Sequence, residues 1–358
     1  MRGLAIAALL AWLLPLPAPA ETWQEDWQRT IEAAKREGQL VISGPSGTVW
    51  REQLLTFNRD YPFIKLDITP AAAREFWPRV TKEREAGQKL WDFRVGGPDH
   101  SSYLMLHQGV IAAIRPLLVL PEVTDPKVWY GGFDGLFLDN EKRRMLGFAV
   151  YDEDIAFYNS RLLPDPDLDD MKNVVDAKFA GKIAIADPRA GSSLTSSGVL
   201  LRVYGEPFLR RLWLEQKPVV TKEARQQMDW LASGRYPISF GIPTAAMVEY
   251  AARGANIAEF KKIGGPMVWT QGVGGVQMLE GAPHPNATKL FVNWLLTRAV
   301  QARIMKAVKL NSRRKDVPVI DPETAVDYAH IDDYIGGQTE AMDPYQQKAA
   351  ALLKQLMP

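Results

Sequence analysis

The alternation of apolar and polar positions divides the first part of the chain into short strands and amphipathic helices. Trp23, Trp27 and Ile31 recur every four residues, which predicts a first helix that ends at Gly38. The next predicted elements are strands at 40–42, 64–69 and 91–95 and helices at 49–60 and 74–88. Because strands alternate with helices in such short units, we expect a mostly parallel sheet with helices on both faces.

The second part of the chain repeats this order of strand, small-residue loop and helix. The predicted strands are 146–151, 155–158, 182–186, 238–240 and 267–280, and the predicted helices are one that starts at Leu194 and those at 206–216, 222–233, 245–252 and 285–306. Loops of small residues follow four of the strands, at 43–47, 96–99, 187–193 and 241–244. Open α/β sheets bind ligands beyond the carboxyl ends of their strands, so these loops are the candidate ligand site.

The first twenty residues have the layout of a secretory signal peptide. Arg2 gives a basic start, residues 4–14 are almost entirely apolar, and Ala18-Pro19-Ala20 precedes the polar Glu21. The alternative is a membrane anchor, but an apolar run of roughly a dozen residues is shorter than the ~20 needed to span hydrocarbon. We therefore expect cleavage after residue 20 and a periplasmic protein.

Composition narrows the classes of protein that the chain can belong to. Removing the twenty residues from the 358 leaves 338, which suggests two domains or lobes. The 43 basic and 42 acidic side chains nearly balance, so the chain has no electrostatic footprint for nucleic acid. Because the sequence contains no cysteine, thiol catalysis and thiolate metal sites are excluded.

The motifs of common enzyme classes do not occur. The stretches Gly44-Pro45-Ser46-Gly47 and Gly191-Ser192-Ser193 both miss the G-x-S-x-G motif of serine hydrolases, and no GxxxxGK[ST] loop is present. The carboxylates of Asp152 and Asp154 are expected to be solvated in a polar turn. Since no nucleophile and base can be combined, we expect a protein without enzymatic activity or cofactor, with an exported hydrolase as the alternative class.

Three stretches of the sequence resemble periplasmic solute-binding proteins of ABC importers. They are Gly181-Lys182-Ile183-Ala184 with Gly191-Ser192-Ser193, residues 234–244, and the helix that follows Gly281-Ala282-Pro283-His284. The resemblance is to the type II group that binds iron(III), thiamine, phosphonates or polyamines. It implies an α/β protein of two lobes, each a mixed sheet flanked by helices, that close over a small solute.

The resemblance also implies where the chain divides and what it meets. Lobe one would comprise 21–148 with 268–358, and lobe two 149–267. The expected partners are a small-molecule solute and a separate inner-membrane permease, and we expect a monomer.

The expected ligand contacts lie in the strand-end loops and at the two crossings between lobes. Helix N-termini there present free N–H groups and partial positive charge, which favours an anionic or zwitterionic solute. The candidate residues are Ser43, Gly44, Ser46, Gly47, Trp50, Gly97, Asp99, Tyr151, Arg189, Ser192, Ser193, Gly241, Thr244 and Trp269. The alternatives are a cap at Ser46 or Thr48, core packing for Trp50, a pair of Arg189 with Asp187, a surface turn at Tyr151, and hinge packing for Trp269.

Iron(III) is the test case within this group. Iron(III) receptors of the group resemble one another in two adjacent tyrosines in the second-lobe loop, whereas residues 239–244 here contain none. The four histidines, at 100, 107, 284 and 330, show no metal-ligand spacing. We therefore predict no bound metal and keep an iron(III) receptor as an alternative. The solute stays open among carboxylates, phosphonates, amino-acid derivatives, thiamine-like cations and polyamines.

Overall fold

The computed structural model describes residues 22–163, 170–188, 191–242, 244, 247, 250, 252–260 and 264–357, with backbone only at 191 and 192. The predicted signal peptide at 1–20 lies outside the described residues. Among the described helices, none has the length and apolar content needed to cross a membrane.

The predicted elements occur in the predicted order, but the predicted strands 146–151 and 267–280 and the predicted helix 49–60 each form two elements. The predicted helix 245–252 falls largely outside the described residues. The strands are β1 (Gln39–Gly44), β2 (Lys65–Pro70), β3 (Phe93–Val95), β4 (Met145–Gly147), β5 (Ala149–Asp152), β6 (Ala156–Asn159), β7 (Ile183–Ala186), β8 (Val219–Thr221), β9 (Ile238–Phe240), β10 (Ile257–Glu259), β11 (Met267–Thr270), β12 (Gly275–Met278), β13 (Asn311–Ser312) and β14 (Tyr334–Gly336). The helices are α1 (Trp23–Glu37), α2 (Thr48–Leu55), α3 (Phe57–Asp60), α4 (Ala73–Glu85), α5 (His100–His107), α6 (Pro121–Thr124), α7 (Gly132–Gly135), α8 (Gly191–Leu214), α9 (Ala224–Ser233), α10 (Pro285–Leu296), α11 (Arg298–Val308) and α12 (Asp343–Leu356).

Local chemistry explains several of these boundaries. Thr22 and Glu25 form a capping box at the start of α1, and Gly38 ends the helix with a φ of 64°. The single helix predicted over 285–306 is wrong: it is two helices, because Thr297 has extended backbone and serves as the N-cap of α11. Helix α8 is interrupted at Gly205, whose φ is 80°, close to the predicted start of a second helix at 206.

The first sheet has the strand order β2-β1-β3-β12-β4. Strand β1 is parallel to β2 and β3, whereas β12 is antiparallel to both of its neighbours. One face of the sheet packs Ile42 and Phe93 against Phe291 of α10 in the larger apolar core. The other face packs against α4 and α5 through Trp77 and Tyr103. The sheet is therefore covered on both sides by helices.

The second sheet has the strand order β10-β6-β9-β7-β8. Strand β7 is parallel to β8 and β9, and β6 is antiparallel to β9 and β10. Its core includes Ile183, Ile238 and Phe240. Both sheets are thus mixed and flanked by helices, which confirms the predicted α/β class.

The chain passes between the two sheets twice. Strand β5 follows β4 of the first sheet and precedes β6 of the second, and β11 returns from β10 to β12. These two crossing strands pair with each other in antiparallel fashion and form a third sheet of order β13-β5-β11-β14. The part of the chain built around the first sheet is lobe one, and the part built around the second sheet is lobe two.

The predicted division of the chain at 148/149 and 267/268 stays a prediction. The packing of the C-terminal helix argues for one change to it. Met342, Ala349, Leu352 and Leu353 lie in the apolar core of the second sheet, where α12 packs along α8. We therefore expect the last helix, which the sequence placed with lobe one, to move with lobe two.

A buried carboxylate fixes the first sheet to the helix behind it. Asp92 is fully buried and accepts hydrogen bonds from the backbone N–H groups of Val41, at 2.8 Å, and His284, at 2.6 Å. The His284 ring nitrogen Nδ1 lies 2.8 Å from the same carboxylate. Because His284 is the N-cap of α10, Asp92 joins β1 to the start of that helix.

We predict that Asp92→Ala lowers the free energy of unfolding by about 4 kcal/mol, because it leaves two backbone N–H groups without their acceptor. Urea denaturation of the two proteins measures this difference. The control is Asp67→Ala, which removes a solvent-accessible ion pair with Lys65 and a hydrogen bond from Gln39 and should cost about 1 kcal/mol. Equal effects of the two substitutions would contradict this role of Asp92.

Candidate functional site

The four predicted loops lie at the carboxyl ends of parallel strands. Because β1 and β3 are parallel neighbours, the loops after Gly44 and Val95 lie at one edge of the first sheet. Because β7 and β9 are parallel neighbours, the loops after Ala186 and Phe240 lie at one edge of the second sheet. Each lobe therefore presents two of the four loops at the edge where open α/β sheets bind ligands.

The first loop separates into buried and exposed candidates. Ser43 is 0% exposed and Gly44 is also buried. Ser46 and Gly47 are exposed. Gly47 is the N-cap of α2, and no side chain caps this helix, so the alternative of a cap at Ser46 or Thr48 is wrong. The first N–H groups of α2 are left without a side-chain acceptor.

The two tryptophans expected at the ligand both have packing roles. Trp50 is 9% exposed and lies in the first core near Leu54, so the core alternative describes it better than ligand contact. Trp269 is half-buried on the crossing strand β11, and the guanidinium of Arg313 lies 4.9 Å from its ring centroid. This stacking supports the hinge-packing alternative for Trp269.

The loop after β3 is held close to the second crossing. A side chain at Gly97 is sterically excluded, because an ideal Cβ there would lie 1.8 Å from the carbonyl oxygen of Gly272. Asp99 is the N-cap of α5 and accepts a hydrogen bond from the Ser102 N–H at 3.1 Å. The carboxylate of Asp99 is therefore already used in capping, although it lies at the predicted edge.

The two loops of lobe two pack against each other. Ser193 is buried, and its hydroxyl donates to the carbonyl of Ala186 at 2.7 Å, which ties the start of α8 to the end of β7. Gly241 has a φ of +77°, and an ideal Cβ there would lie 2.6 Å from the Ser193 Cβ. Arg189 and the side chain of Ser192 lie outside the described residues.

The first crossing segment contacts the candidate loops of both lobes. The backbone N–H of Asp154 donates to the Thr244 hydroxyl at 2.9 Å, which joins the segment to lobe two. At the other end of the segment, the ring of Tyr151 packs against Gly272. An ideal Cβ on Gly272 would lie 2.7 Å from the Tyr151 Cε1. Gly272 in turn packs against Gly97 of lobe one. The crossing segment therefore reaches Gly97 of lobe one through Tyr151 and Gly272, and Thr244 of lobe two through Asp154.

The acidic residues of this segment are buried, so the expected surface turn is wrong. Asp152, Glu153 and Asp154 all lie below a tenth of full exposure. Burial, together with the charges of Asp154 and Asp152, raises the pKa of Glu153 to about 7. Burial also raises the pKa of Tyr151, with a smaller contribution from Glu153. The strand pairing of β5 with β11 and the contacts to Thr244 account for this burial.

The sequence reasoning missed a buried arginine at the edge of lobe one. Arg94 is the middle residue of β3, and it is 5% exposed. In the sequence, Arg94 stands between two apolar residues directly before Gly96-Gly97. This pattern is equally typical of a strand with one face exposed to solvent, so it does not by itself indicate a buried arginine. Only the sheet topology shows that both faces of β3 are covered.

Among the described residues, no cluster of three or more histidine, aspartate or glutamate side chains has an arrangement suited to a metal ion. The described part of the lobe-two loop consists of Ser239, Phe240, Gly241, Ile242 and Thr244. A phenolate pair of the kind expected in iron(III) receptors is absent from this stretch of the sequence.

Comparison with known sequences identifies neither a family nor a function for the chain. No protein-family model matches the chain. A protein of Haemophilus influenzae, described only as uncharacterized, is 28% identical over 161 residues. That region is 44% of this chain and 44% of the relative, so the match spans less than half of the relative's length.

Comparison with solved structures is far more extensive. Iron-bound HitA from Pseudomonas aeruginosa is 15% identical with a TM-score of 0.64, over 89% of this chain and 99% of that one. Trichodesmium FutA in complex with iron and citrate is 14% identical with a TM-score of 0.68, over 89% and 99%. AfuA from Actinobacillus pleuropneumoniae, a periplasmic binding protein with fructose-6-phosphate bound, is 20% identical with a TM-score of 0.58, over 89% and 96%.

These likenesses identify the architecture. The chain has the two-lobed α/β fold of the type II periplasmic solute-binding proteins, which confirms the predicted fold class and the resemblance seen in the sequence. Because the identities are 20% or lower, they do not transfer a ligand to this chain.

We predict that the raised pKa of Glu153 makes the protein less stable as the pH rises from about 4.5 to about 7. In this window the folded state holds a proton that the unfolded state has released, so the free energy of unfolding falls. Glu153→Gln lacks this proton and should be more stable than the parent by on the order of 3 kcal/mol at pH 8, but not at pH 4.5.

Urea denaturation of both proteins at the two pH values measures the effect. Glu85→Gln, at an exposed position on α4, controls for the loss of one carboxylate. A Glu153→Gln advantage that is the same at both pH values would show that the folded-state pKa of Glu153 is not raised.

Proposed function

We propose that the protein is a periplasmic receptor that captures a small polar or anionic solute between its two lobes and delivers it to the permease of an ABC importer. The observation that carries this proposal is the pair of crossing strands, β5 and β11, through which the chain passes between two separate sheets. Two rigid bodies joined by neighbouring strands can rotate about them and close on a ligand. The fold shared with periplasmic receptors such as HitA and AfuA supports this mechanism.

The contacts at the two sheet edges support a polar solute. The start of α2 in lobe one has no side-chain cap, so its N–H groups and partial positive charge are available to a solute at that edge. In lobe two, the loop at Gly241 is packed onto the start of α8 at Ser193. Closure would bring the two edges onto one solute, and the differential affinity of the open and closed forms for it would drive the closure.

The proposal includes the cellular setting. Export through the signal peptide at 1–20 would place the chain in the periplasm, where a separate inner-membrane permease would receive the closed form. The receptor would act as a monomer, without a catalytic step or a cofactor, because conformational capture needs neither.

We predict that a thermal-shift screen of the mature chain, refolded to remove bound solute, finds one chemical class that raises the melting temperature by several degrees. Binding stabilises by RT ln(1 + [L]/Kd), about 4 kcal/mol at a thousandfold excess over Kd. The panel contains carboxylates, sugar phosphates, phosphonates, amino-acid derivatives, thiamine, polyamines and iron(III) citrate. A shift confined to iron(III) would support the iron receptor instead.

Gly241→Ala tests whether the solute binds at the candidate loops. It places a methyl group against Ser193 and should abolish the shift. Gly254→Ala is the matched control, because Gly254 also has a positive φ but an added Cβ meets nothing within 4 Å. A panel without any shift would overturn the receptor proposal, and an equal shift in both variants would place the solute elsewhere.

A further inference from the structure

Three buried polar side chains form a row across the strands of lobe one. In the register of the sheet, Ser43 of β1 lies beside Arg94 of β3, and Arg94 lies beside Gln277 of β12. Their strand neighbours, such as Phe93 and Val276, point to the opposite face and pack in the first core. Ser43 and Gln277 are 0% exposed and Arg94 is 5% exposed. The row therefore places a cation and two neutral polar groups inside a buried layer of the sheet.

Each member of the row has a buried polar atom without a hydrogen-bond partner among the described residues. These atoms are the Ser43 Oγ, the Arg94 Nε and the Gln277 Oε1. The hydrogen bonds that the row does make go to the turn after β3. The Arg94 Nη1 donates to the Gly97 carbonyl at 3.1 Å, and the Gln277 Nε2 donates to the Gly96 carbonyl at 2.9 Å. Such unsatisfied groups are rare in native cores, so this set calls for an explanation.

The charge of Arg94 is not balanced by an ion pair. Asp99 is the acid that acts on Arg94, but the two form no ion pair within 4 Å among the described residues, and Asp99 caps α5 instead. Burial lowers the pKa of Arg94 to about 10, which still leaves the guanidinium charged at neutral pH. A buried charge is normally retained only when it is paired. Among the described residues, lobe one thus keeps a buried cation, and the acid that acts on it, Asp99, is used as a helix cap and does not pair with it.

The guanidinium is directed to the ligand edge of the sheet. It lies against the Cα of Gly96, where an ideal Cβ would come within 2.3 Å of Nη1, so only glycine leaves room for it. Gly96 and Gly97 form the turn at the carboxyl end of β3, which is the edge that faces the solute in the proposed function.

We propose that Arg94 binds an oxyanion of the solute, a carboxylate or a phosphate, and that it thereby selects anionic over cationic solutes. This inference rests on the proposed receptor function and narrows its substrate class. The planar guanidinium presents donors in a fork that matches two oxygens of such a group. Ser43 and Gln277 lie beside it in the row. Thiamine-like cations and polyamines are excluded as solutes, because they would face an unpaired buried cation.

The test compares the binding of anions and cations to the parent chain and to Arg94 variants by isothermal titration calorimetry at fixed ionic strength. The probes are inorganic phosphate, citrate, fructose 6-phosphate, thiamine and spermidine. We expect at least one anionic probe, and neither cation, to bind the parent chain. Arg94→Gln should weaken that binding about a hundredfold, and Arg94→Lys, which keeps the charge but loses the fork, should weaken it less. Arg143→Gln, at an exposed arginine of lobe one, should bind like the parent.

Urea denaturation of the solute-free proteins separates binding from structure. Since Arg94 forms no ion pair within 4 Å among the described residues, Arg94→Gln should leave the denaturation midpoint unchanged or raise it. Equal affinity of the parent and Arg94→Gln for an anion, or tight binding of spermidine or thiamine, would overturn the inference while leaving the receptor function intact. Failure of every probe and of the wider solute panel to bind the parent would overturn the receptor function, and this inference with it.

Discussion

The antiparallel pairing of β5 with β11 is the constraint on which the rest of the structure depends. Trp269 pairs with Asp152 and Thr270 with Tyr151, and these few residues carry both passages of the chain between the sheets. The two strands are hydrogen-bonded to each other, and β14 pairs with β11 before α12 packs on lobe two, so all three connections run through one sheet. In the proposed function the lobes rotate about this sheet. The same segment contacts lobe two through Asp154 and the Thr244 hydroxyl. The hinge and the candidate site are therefore built from the same residues.

Burial of charge near this hinge gives the site its chemical character. Glu153 at the first crossing, Arg94 in β3 and Arg313 against Trp269 are all buried, and burial shifts each pKa toward the neutral form. Charges in such surroundings interact more strongly than they would in water. Under the proposed receptor function, a solute with complementary charge would bind selectively, and a proton taken up by Glu153 would change the electrostatics of the crossing segment.

The sequence predicted the fold better than it predicted the site. Periodicity and the small-residue loops gave ten of the fourteen described strands, because they depend on local backbone preference, whereas β8, β10, β13 and β14 were not predicted. The break at Thr297 was missed since an apolar face continues on both sides of it. The burial of Arg94 and Glu153 was also missed, because covering both faces of a strand is a property of tertiary packing. The sequence predicted that the loops after Ala186 and Phe240 both belong to the candidate site, because ligands bind beyond the carboxyl ends of parallel strands, which meet at one edge of a sheet.

Closure of the two lobes on a bound solute is the central claim, and an interlobe distance tests it most directly. The chain has no cysteine, so spin labels can be placed on cysteines substituted for Glu52 of α2 and Arg225 of α9, both exposed. Double electron–electron resonance then measures the label separation with and without solute. If the lobes close, the distance distribution becomes narrower and shifts when the solute saturates the protein. A bound solute that leaves the distribution unchanged would contradict closure.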